Sequence, residues 1–265
     1  MVEPNRMSLP VSQSWDATLD YVRRESHLLV PLALGTLAVG QAAVELGVQL
    51  RERHVESGLL MLLFVPGILL MLGGQMSIFS LVLNPGISVG EAMKKGFSRL
   101  PRLVLFSLGL GLVFLVLIFP LLILLLKNGF DPTASAPVAM PGYAAIWAGV
   151  VLAFMMWLSV RTYFAAAMMV DLDASVRESV SGSFALTRGR SAALLGVALI
   201  FLVVGTVVQS AAQVIVGIFF GALGKLLAMP LLPLVMVALG VGMAAAAIGL
   251  VTAVFVAMLY RAISS

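Results

Sequence analysis

The side chains with chemistry to offer fall into three small groups. Arg161 lies inside an apolar run, and Asp171, Asp173 and Glu178 follow it into the polar stretch ASVRESVSGSFALTRGR at 174–190. An ionisable group in an apolar run is costly in hydrocarbon and marks a role by default. Two readings fit Arg161. It snorkels to the interface from the end of its helix, or it holds the next segment in place through Asp171, Asp173 or Glu178. The second requires the chain to fold back, because ten residues of straight helix separate Arg161 from Asp171 by about 15 Å.

A second group, Lys94, Lys95, Arg99 and Arg102, sits in ISVGEAMKKGFSRLPR at 87–102. Such residues either bind anionic lipid headgroups, each contributing roughly 1 kcal/mol beside a charged leaflet, or serve only to set topology. The third group is polar and uncharged. Gln75, Gln209 and Gln213 interrupt apolar runs, where they would hydrogen-bond between helices or line a polar path. With no cysteine, and with His27 and His54 apart from any ligand pattern, no metal site, cofactor or catalytic constellation is expected. The basic residues gather at the ends of apolar runs rather than along a face with interleaved aromatics, so no nucleic-acid partner is expected either.

The elements that must carry these groups are legible from hydropathy. At 265 residues, 61% hydrophobic and 11% charged, the chain lacks the polar surface of a water-soluble fold. Continuous apolar runs at 28–47, 58–83, 103–126, 143–170, 192–222 and 231–260 predict an all-α integral membrane protein with six transmembrane helices. A loose tail at 1–13 precedes one helical membrane domain, 14–261. Short connections pair the helices into three hairpins, as repeats 14–83, 88–170 and 175–260, each preceded by a cytoplasmic amphipathic interfacial helix.

The first such helix is expected to start at Ser14 as N-cap, with Trp15, Leu19 and Val22 on its apolar face and Trp15 and Tyr21 at headgroup level. The other two open on capping boxes, Ser88 with Glu91 and Ser175 with Glu178. Val89, Met93, Phe97 and Leu100 form the apolar face of one, and Val176, Val180 and Phe184 that of the other. An ungapped shift of 87 residues aligns the two with ten identities in 29 positions, among them Ser88/Ser175, Glu91/Glu178 and Phe97/Phe184. Six crossings put twelve of the sixteen Lys and Arg on the side of both termini, which by the positive-inside rule is the cytoplasm.

The sequence from Arg161 through ESVSGSFALTRGR to the next run resembles the bacterial glycerophosphoryl diester phosphodiesterase membrane-domain family and related multi-pass proteins of unassigned function. Glu178, Ser183, Leu186, Thr187 and Gly189 match its E-A-L-x-x-S-x-x-L-T-x-G form. Where that family carries two basic residues, this chain has Ser181 and Gly182. The resemblance implies a bacterial inner-membrane location and an architecture, not hydrolysis.

The expected function is therefore a non-enzymatic multi-pass inner-membrane protein that organises or senses the cytoplasmic lipid surface, or scaffolds partners there. Its partners would be membrane lipids, anionic ones included, and a membrane protein or a second copy of the chain. The alternative is a small-molecule or lipid-like transporter with a path between the hairpins. Pro120 in the third run has no counterpart at Val207, which argues against broken transporter helices built on the repeat.

Overall fold

A backbone in hydrocarbon must satisfy its own N–H and C=O groups, so apolar runs of this length form helices. The computed structural model describes residues 10–53, 57–127, 142–229 and 231–264, and their regular structure is helical throughout. In chain order the helices are α1 (Val11–Arg24), α2 (Ser26–Ala33), α3 (Val39–Glu52), α4 (Ser57–Leu83), α5 (Val89–Lys127), α6 (Gly142–Arg161), α7 (Ala165–Asp171), α8 (Val176–Leu186), α9 (Ser191–Leu226) and α10 (Leu232–Ser264), with a π-helical segment, Leu34–Ala38, joining α2 to α3. Six stretches are long and apolar enough to cross a membrane: Ser26–Glu52, Leu60–Leu83, Val89–Lys127, Gly142–Asp171, Ser191–Leu226 and Leu232–Ser264. They make the chain a multi-pass membrane protein.

The six are unequally buried. The first, second and sixth bury 44%, 39% and 44% of their most apolar stretch, against 11%, 17% and 17% for the third, fourth and fifth. An inner trio is thus flanked by helices that present most of their surface outward. In lipid no hydrophobic effect drives helices together, and close backbone approach through small residues takes its place. A Cβ on Gly40 would come within 2.7 Å of the Gly67 carbonyl oxygen, and one on Gly67 within 2.8 Å of the Gly40 carbonyl. Those glycines let α3 and α4 touch backbone to backbone.

The main core lies at one end of the bundle. There the ends of α4 and α10 enclose α7, and Met76, Phe79, Phe164, Met169, Phe255 and Leu259 are all fully buried. A smaller cluster, Leu121, Leu125 and Ala144, joins α5 to α6 toward the other end.

Several local expectations are corrected. Ser14 is not an N-cap: α1 begins at Val11 behind Pro10, and Ser14 is buried in its interior with Thr18 and Tyr21. Proline readily precedes a helix because its fixed φ and missing N–H cost nothing there. The expected tail therefore ends before residue 11, and its residues 1–9 lie outside the described ones. Tyr21 is buried against α4, its hydroxyl donating to the Leu81 carbonyl at 3.2 Å. The segment at 87–102 is not a separate helix, since α5 runs unbroken through Pro101 for 39 residues. At about 58 Å that is nearly twice the thickness of a hydrocarbon core. The fourth run breaks instead, at Thr162–Phe164, before resuming as α7.

Burial also picks out different faces. Besides Tyr21, the buried positions are Ser14 and Thr18 on α1, Ala92 and Gly96 in the first turns of α5, and Ser179 and Ser183 on α8. In each helix small residues four apart take the tight contact, and the larger apolar side chains flank it. A Cβ on Gly96 would meet the Ser77 backbone nitrogen at 2.5 Å, which shows how closely α5 crosses α4.

Candidate functional site

The groups with chemistry gather at the core end of the bundle. Both capping boxes form. The Ser88 N–H donates to Glu91 Oε2 at 2.8 Å while the Glu91 N–H donates back to Ser88 Oγ at 3.2 Å. The corresponding distances at Ser175 and Glu178 are 2.8 Å and 3.3 Å. Each box satisfies donors that the first helical turn leaves open, and the Ser175 N–H is the main cause holding the Glu178 carboxyl below its ordinary range.

Asp173 is the hub. It lies in the turn between α7 and α8 with φ at +52°, a left-handed conformation that Asp tolerates better than most residues. Its carboxylate receives Arg99 and Arg102 from α5, and Arg102 also donates to the Asp173 carbonyl at 2.9 Å. The pair of guanidinium groups thereby ties the α7–α8 turn to α5 across 71 residues of sequence.

The four cations expected to act together on headgroups therefore divide. Arg99 and Arg102 are committed to Asp173. Lys95 donates to Asn84 Oδ1 at 2.8 Å in the turn between α4 and α5. Lys94 is exposed and faces a hollow of about 410 Å³ lined with it by Asn84, Ile87, Glu91, Lys95 and Ser98.

Arg161 stays at the end of α6, but its expected carboxylate partners are engaged elsewhere. Asp171 accepts the Tyr260 hydroxyl at 3.0 Å, Asp173 holds the α5 arginines, and Glu178 caps α8. Arg161 instead reaches the far end of α8, where it donates to the Phe184 carbonyl at 3.5 Å and lies 5.7 Å and 5.9 Å from the ring centres of Trp157 and Phe184. At those distances the rings' π-faces attract the cation. Arg161 thus meets α8 through aromatic faces and a carbonyl, and not through any of the three acids expected to hold it.

The glutamines do not converge on one path. Gln75 lines a largely apolar cavity of about 230 Å³ with Leu37, Met71, Leu72, Ala245, Gly249 and Thr252, beside the π-helical segment. Gln209 is half-buried and Gln213 exposed on α9, and neither lines that cavity. Among the described residues no group of three or more His, Asp or Glu side chains could hold a metal ion.

A family model described as a domain of unknown function, DUF7847, matches residues 9–263. The chain belongs to that family. No curated protein and no solved structure matches it. The match takes in every described helix but for the last residue of α10, so α1 and the core end belong to the same domain as the spans.

Sequence reasoning missed Asn84 and Tyr260 as members of this site and met Ser183 only as a match to the resembled form. None carries a charge, and their partners come from other helices. Asp173 was in view only as one of three acids beside Arg161.

The hub makes a pH prediction. The carboxyl of Asp173 is held below its ordinary range chiefly by the hydrogen bond from Arg102, against an opposing desolvation, with Arg99 adding to it. A depressed folded-state pKa means the ionised form is favoured by folding, so its stabilisation is present above the unfolded carboxylate pKa of about 3.9 and is lost as pH falls through the folded value. The melting temperature of the native chain should exceed that of Asp173→Asn by a constant margin from neutral pH to about 5, and the margin should close below about pH 4. A margin that is the same at pH 7 and pH 3 in thermal melts would refute the assignment.

Proposed function

We propose that this chain is a non-enzymatic multi-pass protein of the bacterial inner membrane that organises or senses the cytoplasmic lipid surface, or scaffolds partners there. The observation that carries this reading is the exposed Lys94 over the hollow beside Asn84, with the neighbouring cations fixed by Asp173 and Asn84. With its neighbours already held, only the Lys94 side chain has to be ordered for its ammonium to meet a lipid phosphate. In this reading α1, the first turns of α5, and α8 are the amphipathic interfacial helices of three hairpins, and both termini are cytoplasmic, as the twelve-to-four bias in Lys and Arg suggests. The resemblance around Arg161 to Gly189 supports a membrane role and carries no hydrolytic activity with it.

The test is lipid retention. Replacing Lys94 and Lys95 with glutamine should lower the anionic phospholipid co-purifying with the protein by roughly fivefold for each charge lost, following about 1 kcal/mol per cation at an anionic surface, and high salt should mimic the change. Unaltered lipid content by mass spectrometry, with the fold intact, would remove the lipid-surface reading. The alternative, a transporter of small or lipid-like molecules, draws its support from the cavity at Gln75. It requires solute flux across proteoliposomes that Gln75→Leu abolishes.

A further inference from the structure

The midpoint of α9, Ser191–Leu226, falls between residues 208 and 209, so Gln209, Ser210 and Gln213 lie within about 7 Å of it along the axis. At 100° per residue, Thr206, Ser210 and Gln213 fall within about 60° of one another, and all three are exposed. Gln209 borders them, half-buried. The Thr206 hydroxyl bonds back to the Leu202 carbonyl at 2.8 Å. Gln209, Ser210 and Gln213 have no side-chain hydrogen-bond partner among the described residues.

That is a costly arrangement in the middle of a membrane. Neither lipid tails nor water supply partners at that depth, and an unpaired amide there forfeits hydrogen bonds it would make elsewhere. No Asp, Glu, Lys or Arg occurs between Arg190 and Lys225, and a neutral hydrogen-bonding partner satisfies the amides without placing an uncompensated charge in hydrocarbon. It also has to tolerate the apolar flanks, Leu202 and Val203, which are 63% and 59% exposed.

A second copy of the same helix meets all three conditions. A primary amide donates two hydrogen bonds and accepts at its carbonyl, so it complements itself. A twofold axis across the stripe brings each amide opposite its own image, as an isologous interface requires. The small side chains of Thr206 and Ser210 allow the close approach such contacts need. We propose that the chain is a homodimer in the membrane through the Thr206–Gln209–Ser210–Gln213 stripe of α9, with the glutamine amides hydrogen-bonded across the axis.

The absence of cysteine from the chain makes the test clean. Single substitutions Ser210→Cys, Gln213→Cys and Ile215→Cys, in otherwise native protein in its membrane, are oxidised with a membrane-permeant copper complex. Ile215 is 67% exposed and lies about 160° around α9 from Gln213. Ser210→Cys and Gln213→Cys should give a covalent product of twice the chain mass, and Ile215→Cys should not. In lipid nanodiscs, Gln209→Leu with Gln213→Leu should weaken self-association by roughly ten- to a hundredfold, a few interhelical hydrogen bonds of modest strength. Equal cross-linking at Ile215→Cys, a monomeric native chain at every concentration, or a cross-linked product of any other mass would each overturn the proposal.

Discussion

Gly242→Val is expected to leave little folded protein, and Gly242→Ala to cost about 1–3 kcal/mol, the usual range for forcing atoms into a packed interior. A Cβ on Gly242 would stand 2.5 Å from the Ala38 carbonyl oxygen and 3.1 Å and 3.2 Å from the Cβ and nitrogen of Ala42. Those are backbone atoms and a methyl, and none can rotate away as the end of a long side chain would. The only relief is for α10 to part from α3. That separation would also loosen Gly40 from Gly67, because the inner trio shares one set of close contacts and lipid supplies no hydrophobic force to keep it together.

The control lies on α5. Gly109 has nothing within 4 Å of an added Cβ, so Gly109→Ala should be neutral or stabilising by up to about 1 kcal/mol, since alanine is the better helix former. Thermal unfolding in one detergent measures both. If Gly242→Val melts with the native chain, the close approach of α10 to α3 is wrong.

These glycines mark the limit of what hydropathy and spacing reveal. The apolar runs predict the spans because a backbone without water has few alternatives to a helix. The capping boxes are legible for a similar reason, since Ser88 and Glu91, or Ser175 and Glu178, satisfy each other within four residues. Local physics decides both.

Which face of α8 is buried is not a local matter. Val176, Val180 and Phe184 make the stronger apolar stripe, yet Ser179 and Ser183 are the buried pair, because helices that touch closely favour small atoms over large ones. The partners of the charges were hidden for the same reason. Arg99 and Arg102 read as headgroup-binding or topology-setting cations, and only the folded chain brings Asp173 to them. The π-helical segment follows Pro31, whose missing N–H already interrupts the ladder, but its position against α4 and α10 belongs to the packing. At Gly74, an added Cβ would collide with the Thr36 side chain in that segment.

Ser183→Ala should destabilise the core end by about 2–6 kcal/mol, from two buried backbone groups left unpaired at about 1–3 kcal/mol each. The Ser183 hydroxyl donates to the Arg161 carbonyl at 2.7 Å and accepts the Phe164 N–H at 3.1 Å. Both groups belong to the break between α6 and α7, where the helical ladder gives them no partner of its own. Ser183 has no exposed surface, so water cannot replace its hydroxyl without the helices moving apart. One side chain from α8 thus closes the gap that lets the chain turn from α6 into the buried α7.

Ser181→Ala is the matched comparison. Its hydroxyl donates to the Glu178 carbonyl at 3.0 Å on the exposed side of the same helix, and its loss should stay within about 0.5 kcal/mol. Amide exchange at Phe164 should accelerate in Ser183→Ala and not in Ser181→Ala. Equal stability and equal exchange in the two variants would mean that Arg161 and the rings of Trp157 and Phe184 hold α8 without the hydroxyl. The larger loss at Ser183 would instead place the anchor of α8 in the helix break, with the Asp173 pairs as a second, solvent-screened tie to α5.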